Sequence, residues 1–257
     1  MALSTTRKIL LFVALPLALL LVAGGIGVAL LFRTSGQVDI SKDVQAGSRV
    51  SADVPGATLS FRPSDDGQVH VRARGTAVGP KPEVTVATSD GVTTIGGRGC
   101  IPLWFTFCSL AVTVEMPASL PLVARAENGG VSAVDLTGRL ELTTTNGNLG
   151  ATGTRDQVEL RTTNGAIRVT ASESERLIAT TTNGSVDLDF ASAPVSVEAQ
   201  STNGGITVRV PEDEETYFVD ASTTNGNVDT SSVNTSRTAE RTITAKTTNG
   251  AVRVTTR

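Results

Sequence analysis

The chain of 257 residues contains few side chains that could perform acid–base, nucleophilic or metal chemistry. It has one histidine and two cysteines, so a His/Cys metal site or a Ser-His-Asp triad is hard to assemble. His70 lies between Val69 and Val71 in a strand-like run without an evident carboxylate partner, and we expect an exposed surface histidine. The sequence therefore predicts no catalytic residue, no cofactor site and no metal site.

Carboxylate pairs, which cleave glycosidic bonds in many hydrolases, are the remaining candidates for catalysis. Asp187, Asp189 and Asp229 fall on outward positions of the repeat described below. Asp187 and Asp229 belong to units two apart, with Thr207 between them, so a solvated surface is the better interpretation. The acidic run at 212–215 lacks the glycine-rich, alternating aspartate spacing of calcium-binding loops, and we expect a solvated loop.

Cys100 and Cys108 bracket a mostly apolar segment that contains the single tryptophan of the chain. Outside the cytoplasm, two cysteines at this spacing between strand-like runs predict a disulfide. Trp104, Phe105 and Phe107 within the segment are candidates for contact with lipid or a partner protein. The alternative is a lid that folds over exposed strand edges.

The amino-acid composition argues against two further classes of protein, disordered proteins and nucleic-acid binders. The chain carries 22 Lys and Arg against 25 Asp and Glu, which gives a net charge of -3 and a charged fraction of 18%, with 39% hydrophobic residues. That much apolar sequence at low net charge argues against disorder. The absence of a basic excess argues against a nucleic-acid partner.

The amino terminus has the pattern of a membrane signal-anchor. The 24 residues from 9 to 32 carry no charge, and as a helix they would extend about 36 Å, enough to cross a bilayer. Arg7 and Lys8 precede this run, which favours a cytoplasmic amino terminus. We therefore predict a cytoplasmic tip and transmembrane segment at 1–33, with the rest outside the cell membrane; a secretory signal cleaved near residue 22 is the alternative.

The remainder reads as β-structure in three parts: a linker at 34–49, a non-repetitive β region at 50–121 and a repeat region at 122–257. Asn-Gly recurs in the last part at spacings of 18, 18, 19, 20, 22 and 24 residues. The asparagines are Asn128, Asn146, Asn164, Asn183, Asn203, Asn225 and Asn249. Apolar residues stand six and four positions before each asparagine and three after it, mostly with polar residues between them, so each unit is predicted to be strand, turn and strand.

The length of the units changes only at the corner opposite Asn-Gly, which holds 6, 6, 7, 8, 10 and 12 residues in turn. Stacked coils predict this, because one edge tolerates insertions while the inside stays in register. We therefore predict an all-β, β-solenoid-like stack of two-strand coils. The alternative is an antiparallel β-sandwich with Asn-Gly hairpins.

The Asn-Gly corners should form a column. Asparagine tolerates a left-handed backbone, glycine follows at no cost, and stacked asparagine side chains could hydrogen-bond as a ladder about 4.8 Å apart. Threonine precedes asparagine in six of the seven units, which suggests a parallel threonine column. The chain ends at Arg257, directly after Val252 and Val254, so an uncapped last coil could pair with a second copy or a partner.

These motifs resemble a known family. The Thr-Thr-Asn-Gly units, together with the segments 112–117 (VTVEMP) and 122–129 (LVARAENG), are similar to the bacterial putative-adhesin β-strand-repeat family, which has no defined biochemical function and includes LiaG-like cell-envelope proteins. The likeness covers residues 58–257. It implies a cell-surface location and supplies no catalytic residues; the insert at 100–108 and the long corners at 209–218 and 231–242 depart from the pattern.

The sequence thus predicts a membrane-anchored, extracytoplasmic, adhesin-like β-repeat protein with a binding or structural role and no enzymatic activity. Its partner would be a cell-wall polymer or another envelope protein. One alternative is an envelope-stress accessory protein that contacts another membrane protein through the helix or the Trp104 segment. A weaker alternative is an enzyme that processes surface polysaccharide.

Overall fold

A computed structural model describes residues 17–22, 25, 36–78, 81–100 and 108–257. Residues 17–22 and 25 are helical, and no helix within these ranges has the length and apolarity of a membrane crossing. Most of the membrane helix predicted over 9–32 lies outside the described residues. Everything from residue 36 onward that is described consists of strands and their connections.

The first half of the chain forms nine strands: β1 (Gly36–Gln45), β2 (Arg49–Asp53), β3 (Thr58–Pro63), β4 (Gln68–Ala77), β5 (Glu83–Ser89), β6 (Val92–Arg98), β7 (Cys108–Met116), β8 (Leu122–Asn128) and β9 (Val131–Val134). The second half continues with β10 (Leu140–Asn146), β11 (Leu149–Thr152), β12 (Val158–Asn164), β13 (Ile167–Ser172), β14 (Arg176–Asn183), β15 (Val186–Phe190), β16 (Ser196–Asn203), β17 (Ile206–Val210), β18 (Tyr217–Asn225), β19 (Val228–Asp229), β20 (Arg241–Asn249) and β21 (Val252–Thr256).

These strands form two sheets. Sheet A has 11 strands in the order β1-β4-β7-β3-β9-β11-β13-β15-β17-β21-β19, and sheet B has 10 strands in the order β18-β20-β16-β14-β12-β10-β8-β2-β6-β5. Every Asn-Gly unit places its first strand in sheet B and its second strand in sheet A. Successive units pair in parallel, for example β10 with β12 and β11 with β13. The predicted all-β repeat fold is therefore confirmed, and parallel pairing rules out the antiparallel sandwich for the repeat region.

The core lies between the two sheets and follows the predicted alternation. Leu140 and Leu142 of β10 are fully buried, while Glu141 between them faces out. The same pattern holds in β12, where Val158 and Leu160 face inward. Since a strand alternates its side chains between two faces, every coil buries one face against the opposite sheet and exposes the other.

The region at 50–121 has no sequence repeat, and its strands nevertheless continue the stack. Strands β2 and β3 pair in parallel with β8 and β9, and β6 and β7 pair in parallel with β2 and β3. Antiparallel strands β1, β4 and β5 finish this end.

At the carboxyl-terminal end the coils do not stack in chain order. The last coil, β20–β21, lies between β16–β17 and the penultimate coil, β18–β19. The expectation that the carboxyl-terminal strand offers the free edge is therefore wrong, because β21 is paired on both sides and the edge strands at this end are β19 in sheet A and β18 in sheet B. The long corners before β18 and β20 give the chain the length to skip one coil and return.

Candidate functional site

The Asn-Gly corners form one continuous edge of the molecule. Six of the seven asparagines donate from Nδ2 to Oδ1 of a neighbouring asparagine, Asn128 at the end of the ladder only accepts, and all six bonds measure 2.8 Å. In order along the axis the ladder runs Asn128, Asn146, Asn164, Asn183, Asn203, Asn249 and Asn225. Because a side-chain amide has two N–H groups and two acceptor positions on its oxygen, half of this capacity along the ladder remains available to solvent or a ligand.

The glycines of these corners are required by the closeness of the stack. A Cβ on Gly165 would lie 1.9 Å from the carbonyl oxygen of Gly147, and one on Gly204 would lie 2.0 Å from that of Gly184. The expected left-handed asparagine is wrong: the described non-glycine residues with positive φ are elsewhere, at Asp90, Asp135 and Ala171. Backbone approach between coils thus accounts for glycine at this position, and at Gly250 a φ of 152° favours glycine as well.

A column of hydroxyl groups supports the corners from inside. These residues stand two positions before asparagine, and each donates to the carbonyl of a corner glycine in the adjacent coil at 2.9–3.0 Å; they are Thr144, Thr162, Thr181, Ser201, Thr223 and Thr247. Sequence reasoning missed this column. The signal was present, since a hydroxyl residue recurs at that position in all but the first unit, where Ala126 stands.

The threonines directly before asparagine point outward instead. All six are exposed: Thr145, Thr163, Thr182, Thr202, Thr224 and Thr248. Together with the ladder they form a surface that we call the Asn-Thr edge. Its six stacked Thr-Asn pairs carry no ionisable side chain, and neighbouring pairs repeat at the strand spacing of about 4.8 Å.

The outer faces of the two sheets differ from this edge because they are charged. On sheet B, Arg161 pairs with Glu159 at 2.6 Å and Lys246 pairs with Asp220 at 2.6 Å. Similar pairs occur on sheet A. Exposed ion pairs of this kind contribute little to stability, and they leave these stretches of the faces nearly neutral.

The candidate catalytic carboxylates do not form a hydrolytic pair. Asp187 is bonded to Arg209, and Asp189 accepts from Nε of Arg257 at 2.7 Å. Hydrogen bonds from Ser231 lower the pKa of Asp229, whereas a general acid needs a raised one. Asp187 and Asp229 are also three coils apart, rather than the expected two, because the last coil is inserted between them.

The acidic corner at 212–215 is arranged around an arginine. Glu215 accepts from Arg241 at 2.9 and 3.1 Å, while Oδ1 of Asp213 accepts the backbone amide of Glu215 at 3.1 Å. The same guanidinium donates to the carbonyl of Ala193 at 3.1 Å, so it ties two long corners together. Within the described ranges, no group of three or more His, Cys, Asp or Glu side chains is arranged to hold a metal ion.

His70 is bonded, contrary to expectation. Nδ1 lies 2.7 Å from Oδ1 of Asp43, and Nε2 lies 2.9 Å from Oδ2 of Asp66. Hydrogen bonding to Asp43, and then to Asp66, raises the pKa of His70. Since both ring nitrogens face carboxylates, the imidazolium form donates to each of them. The arrangement ties β1 and the β3–β4 turn to β4, and no nucleophile belongs to it.

The predicted disulfide is confirmed between Cys100 and Cys108, whose Cα atoms are 5.5 Å apart. It closes the corner of the β6–β7 coil, at the same edge as the Asn-Gly corners: a Cβ on Gly56 would lie 2.5 Å from the carbonyl oxygen of Cys100. Trp104, Phe105 and Phe107, named above as candidate contacts, lie outside the described residues.

This architecture is also found in known proteins. A family model described as Toastrack DUF4097 matches residues 113–256. A putative adhesin from Bacteroides fragilis is similar in structure, with a TM-score of 0.51 and 14% identity over 86% of this chain and 97% of that chain. A putative adhesin from Parabacteroides distasonis gives a TM-score of 0.50 and 16% identity over 84% and 97%.

At such identities the two structures show a shared fold alone. No curated protein matches the chain. The family model, by contrast, covers more than half of the sequence and spans the whole stack of Asn-Gly units. The chain therefore belongs to the Toastrack DUF4097 family.

Proposed function

We propose that this protein is a membrane-anchored, extracytoplasmic adhesin whose Asn-Thr edge binds an extended polymer of the cell envelope. The observation that carries the proposal is the unbroken ladder of seven asparagines flanked by exposed threonines. An ordered line of donors and acceptors suits a ligand that repeats along its length, such as a cell-wall polysaccharide. It suits a single compact ligand poorly.

The binding mode would be many weak contacts in series. Each Thr-Asn pair offers a ligand one hydroxyl group, one amide N–H and one acceptor position on the amide oxygen. Hydrogen bonds from such solvent-exposed groups are individually weak. Binding at one pair raises the effective concentration of the next polymer unit at the adjacent pair, so affinity grows with the number of coils engaged. Rigidity helps, because the ladder and the inner hydroxyl column hold the edge in place before binding.

Membrane anchoring is supported by the described part of the helix. Leu17, Leu19, Leu20, Leu21 and Val22 are all more than half exposed. These side chains point in several directions around the helix, and a helix that is apolar on all sides belongs in an apolar environment. With Arg7 and Lys8 before it, this segment would leave residues 36–257 outside the cytoplasm.

The test uses the full chain in detergent and isolated wall polymer. The variant Thr182→Val/Thr202→Val keeps side-chain shape and strand propensity while removing two hydroxyls from the edge. The control Thr143→Val/Thr180→Val makes the same change on the outer face of sheet B. We expect co-sedimentation with polymer to fall in the first variant only. Equal retention of both variants and the wild type would refute the edge as the binding surface.

A second candidate function is contact with another membrane protein, as in an envelope-stress accessory role. One observation favours it: the disulfide between Cys100 and Cys108 lies towards the end of the same edge, and the sequence between the two cysteines is mostly apolar. The variant Trp104→Ser should then lose capture of a membrane protein while still binding polymer. Release of labelled sugar from wall polymer would instead support the enzyme hypothesis, which we do not favour.

A further inference from the structure

A groove crosses the outer face of sheet A near the amino-terminal half of the stack. The outward positions there run Ser132, Gly150, Arg168 and Asp187 on neighbouring strands. Gly150 interrupts this column of side chains, and the depression over it has a volume of about 370 Å³. We call this depression the notch; Arg168 and Asn148 belong to its lining.

Nothing in the fold requires glycine at position 150. A Cβ there would meet only the Cβ of Ser132, at 3.8 Å, an ordinary contact, and its φ is not in the left-handed region. Gly147, three residues earlier, differs: its Cβ would lie 2.1 Å from the carbonyl oxygen of Gly129. Glycine weakens a strand interior and often marks a place where a ligand approaches the backbone.

Arg168 supplies a positive charge at one side of the notch. Its acidic neighbour on the next strand, Asp187, is bonded to Arg209 instead. Among the residues with described positions, Arg168 forms no ion pair within 4.0 Å. A planar guanidinium that is not neutralised binds carboxylate or phosphate oxygens in a two-pronged manner.

The rest of the lining offers neutral hydrogen-bonding groups. Oδ1 of Asn148 accepts the backbone amide of Ala166 at 2.9 Å, which fixes the side chain and leaves Nδ2 as a donor. The hydroxyl of Ser132 donates to Ser60 at 3.2 Å and can still accept. An apolar floor with one amide, one hydroxyl and one cation matches a sugar ring that carries an acid group.

We propose that the notch binds an anionic sugar unit, with the ring over Gly150 and its oxyanion on Arg168. This inference rests on the proposed polymer-binding function and adds the chemical class of the ligand. A polymer held along the Asn-Thr edge would thus be selected for acidic units by a second surface on the adjoining face.

The test compares oligomers of galacturonic acid with neutral galactose oligomers of equal length, titrated calorimetrically into the full chain in detergent. The wild type should bind the acidic oligomer at least about tenfold more tightly, a difference of about 1.4 kcal/mol. Gly150→Val should remove that preference while the thermal midpoint stays equal or rises. Arg168→Gln should also remove it and leave neutral binding unchanged.

Two controls make the outcome decisive. Thr207→Val places the same side chain in the same outward column away from the notch, and Arg161→Gln removes the same charge from the opposite sheet. Both should bind like the wild type. If Gly150→Val keeps its preference, or Arg161→Gln loses as much as Arg168→Gln, the notch is not the site. Equal wild-type binding of both oligomers overturns this inference alone, whereas binding of neither oligomer and no retention on wall polymer overturn the proposed function as well.

Discussion

Replacing one corner glycine by alanine should damage the stack more than its small size suggests. In Gly184→Ala the new Cβ would lie 1.9 Å from the carbonyl oxygen of Gly165 and 2.5 Å from its carbonyl carbon. Both atoms are backbone, so no flexible side chain can move aside. The clash can be relieved only if the two neighbouring corners separate.

The cost follows from the hydrogen bonds that join these corners. Separation breaks the bond from the Gly165 amide to the carbonyl of Asn183 (3.0 Å), the bond from Thr181 to the carbonyl of Gly165 (2.9 Å) and the ladder bond from Asn183 to Asn164 (2.8 Å). At about 1 kcal/mol for each bond, the free energy of unfolding should fall by about 3 kcal/mol.

Urea unfolding followed by circular dichroism measures this change. Gly96→Ala is the matched control, because its Cβ would meet nothing nearer than Oγ1 of Thr85, at 3.6 Å, and its φ is not positive. The control should be neutral or stabilise by up to about 1 kcal/mol, since alanine restricts the unfolded chain. If the two variants differ by less than about 0.5 kcal/mol, close corner packing does not explain the glycine column.

Three further predictions concern other parts of the molecule. Because the pKa of His70 is raised, the stability that its bonds to Asp43 and Asp66 provide should be complete below pH 6.5 and decline as the pH rises through the raised value; a thermal-midpoint difference between wild type and His70→Gln that does not change with pH would contradict this. Reduction of the disulfide should lower the free energy of unfolding by about 2.5 kcal/mol, the loop-closure value for so short a ring, and an unchanged urea midpoint with reductant would argue against it. Deleting residues 241–257 should abolish hydrogen-exchange protection of β18 and β19, whereas a stack in chain order would keep them protected.

Much of the repeat region could be read from the sequence because each structural requirement recurs. Alternating apolar residues around Asn146 and Asn164 locate both strands of a coil, and the constant Asn-Gly corner sets their register. The inner hydroxyl of Thr144 and the exposed Thr145 are adjacent threonines, so residue type alone does not separate their roles. Their positions in the strand separate the two roles, because alternate residues of a strand face opposite sides. Thr144 is in phase with the buried Leu140 and Leu142, whereas Thr145 is not.

The pairing of strands that are distant in the sequence could not be predicted from these local patterns. The units of Asn225 and Asn249 have nearly the same pattern, so the sequence does not show which of them pairs with the unit of Asn203, and only the longer corners hint at the exchange. The bonds of His70 depend on an antiparallel partner strand, β1, that brings Asp43 across from it. Asp66 was close in sequence, four residues away across a turn, and that spacing was the missed signal.

The exchanged order of coils β18–β19 and β20–β21 has a consequence for the timing of folding during synthesis. As the polypeptide emerges from its amino terminus, each central coil can dock on the one before it as soon as it is complete. Coil β18–β19 has no such surface, because its neighbour in both sheets is made after it. Until residues 241–257 are made and pair with it, the inward side chains of this coil, such as Val219 and Ala221, remain open to solvent or to other chains. Residues 241–257 thus complete the stack from within, and without them coil β18–β19 lacks its neighbour in both sheets.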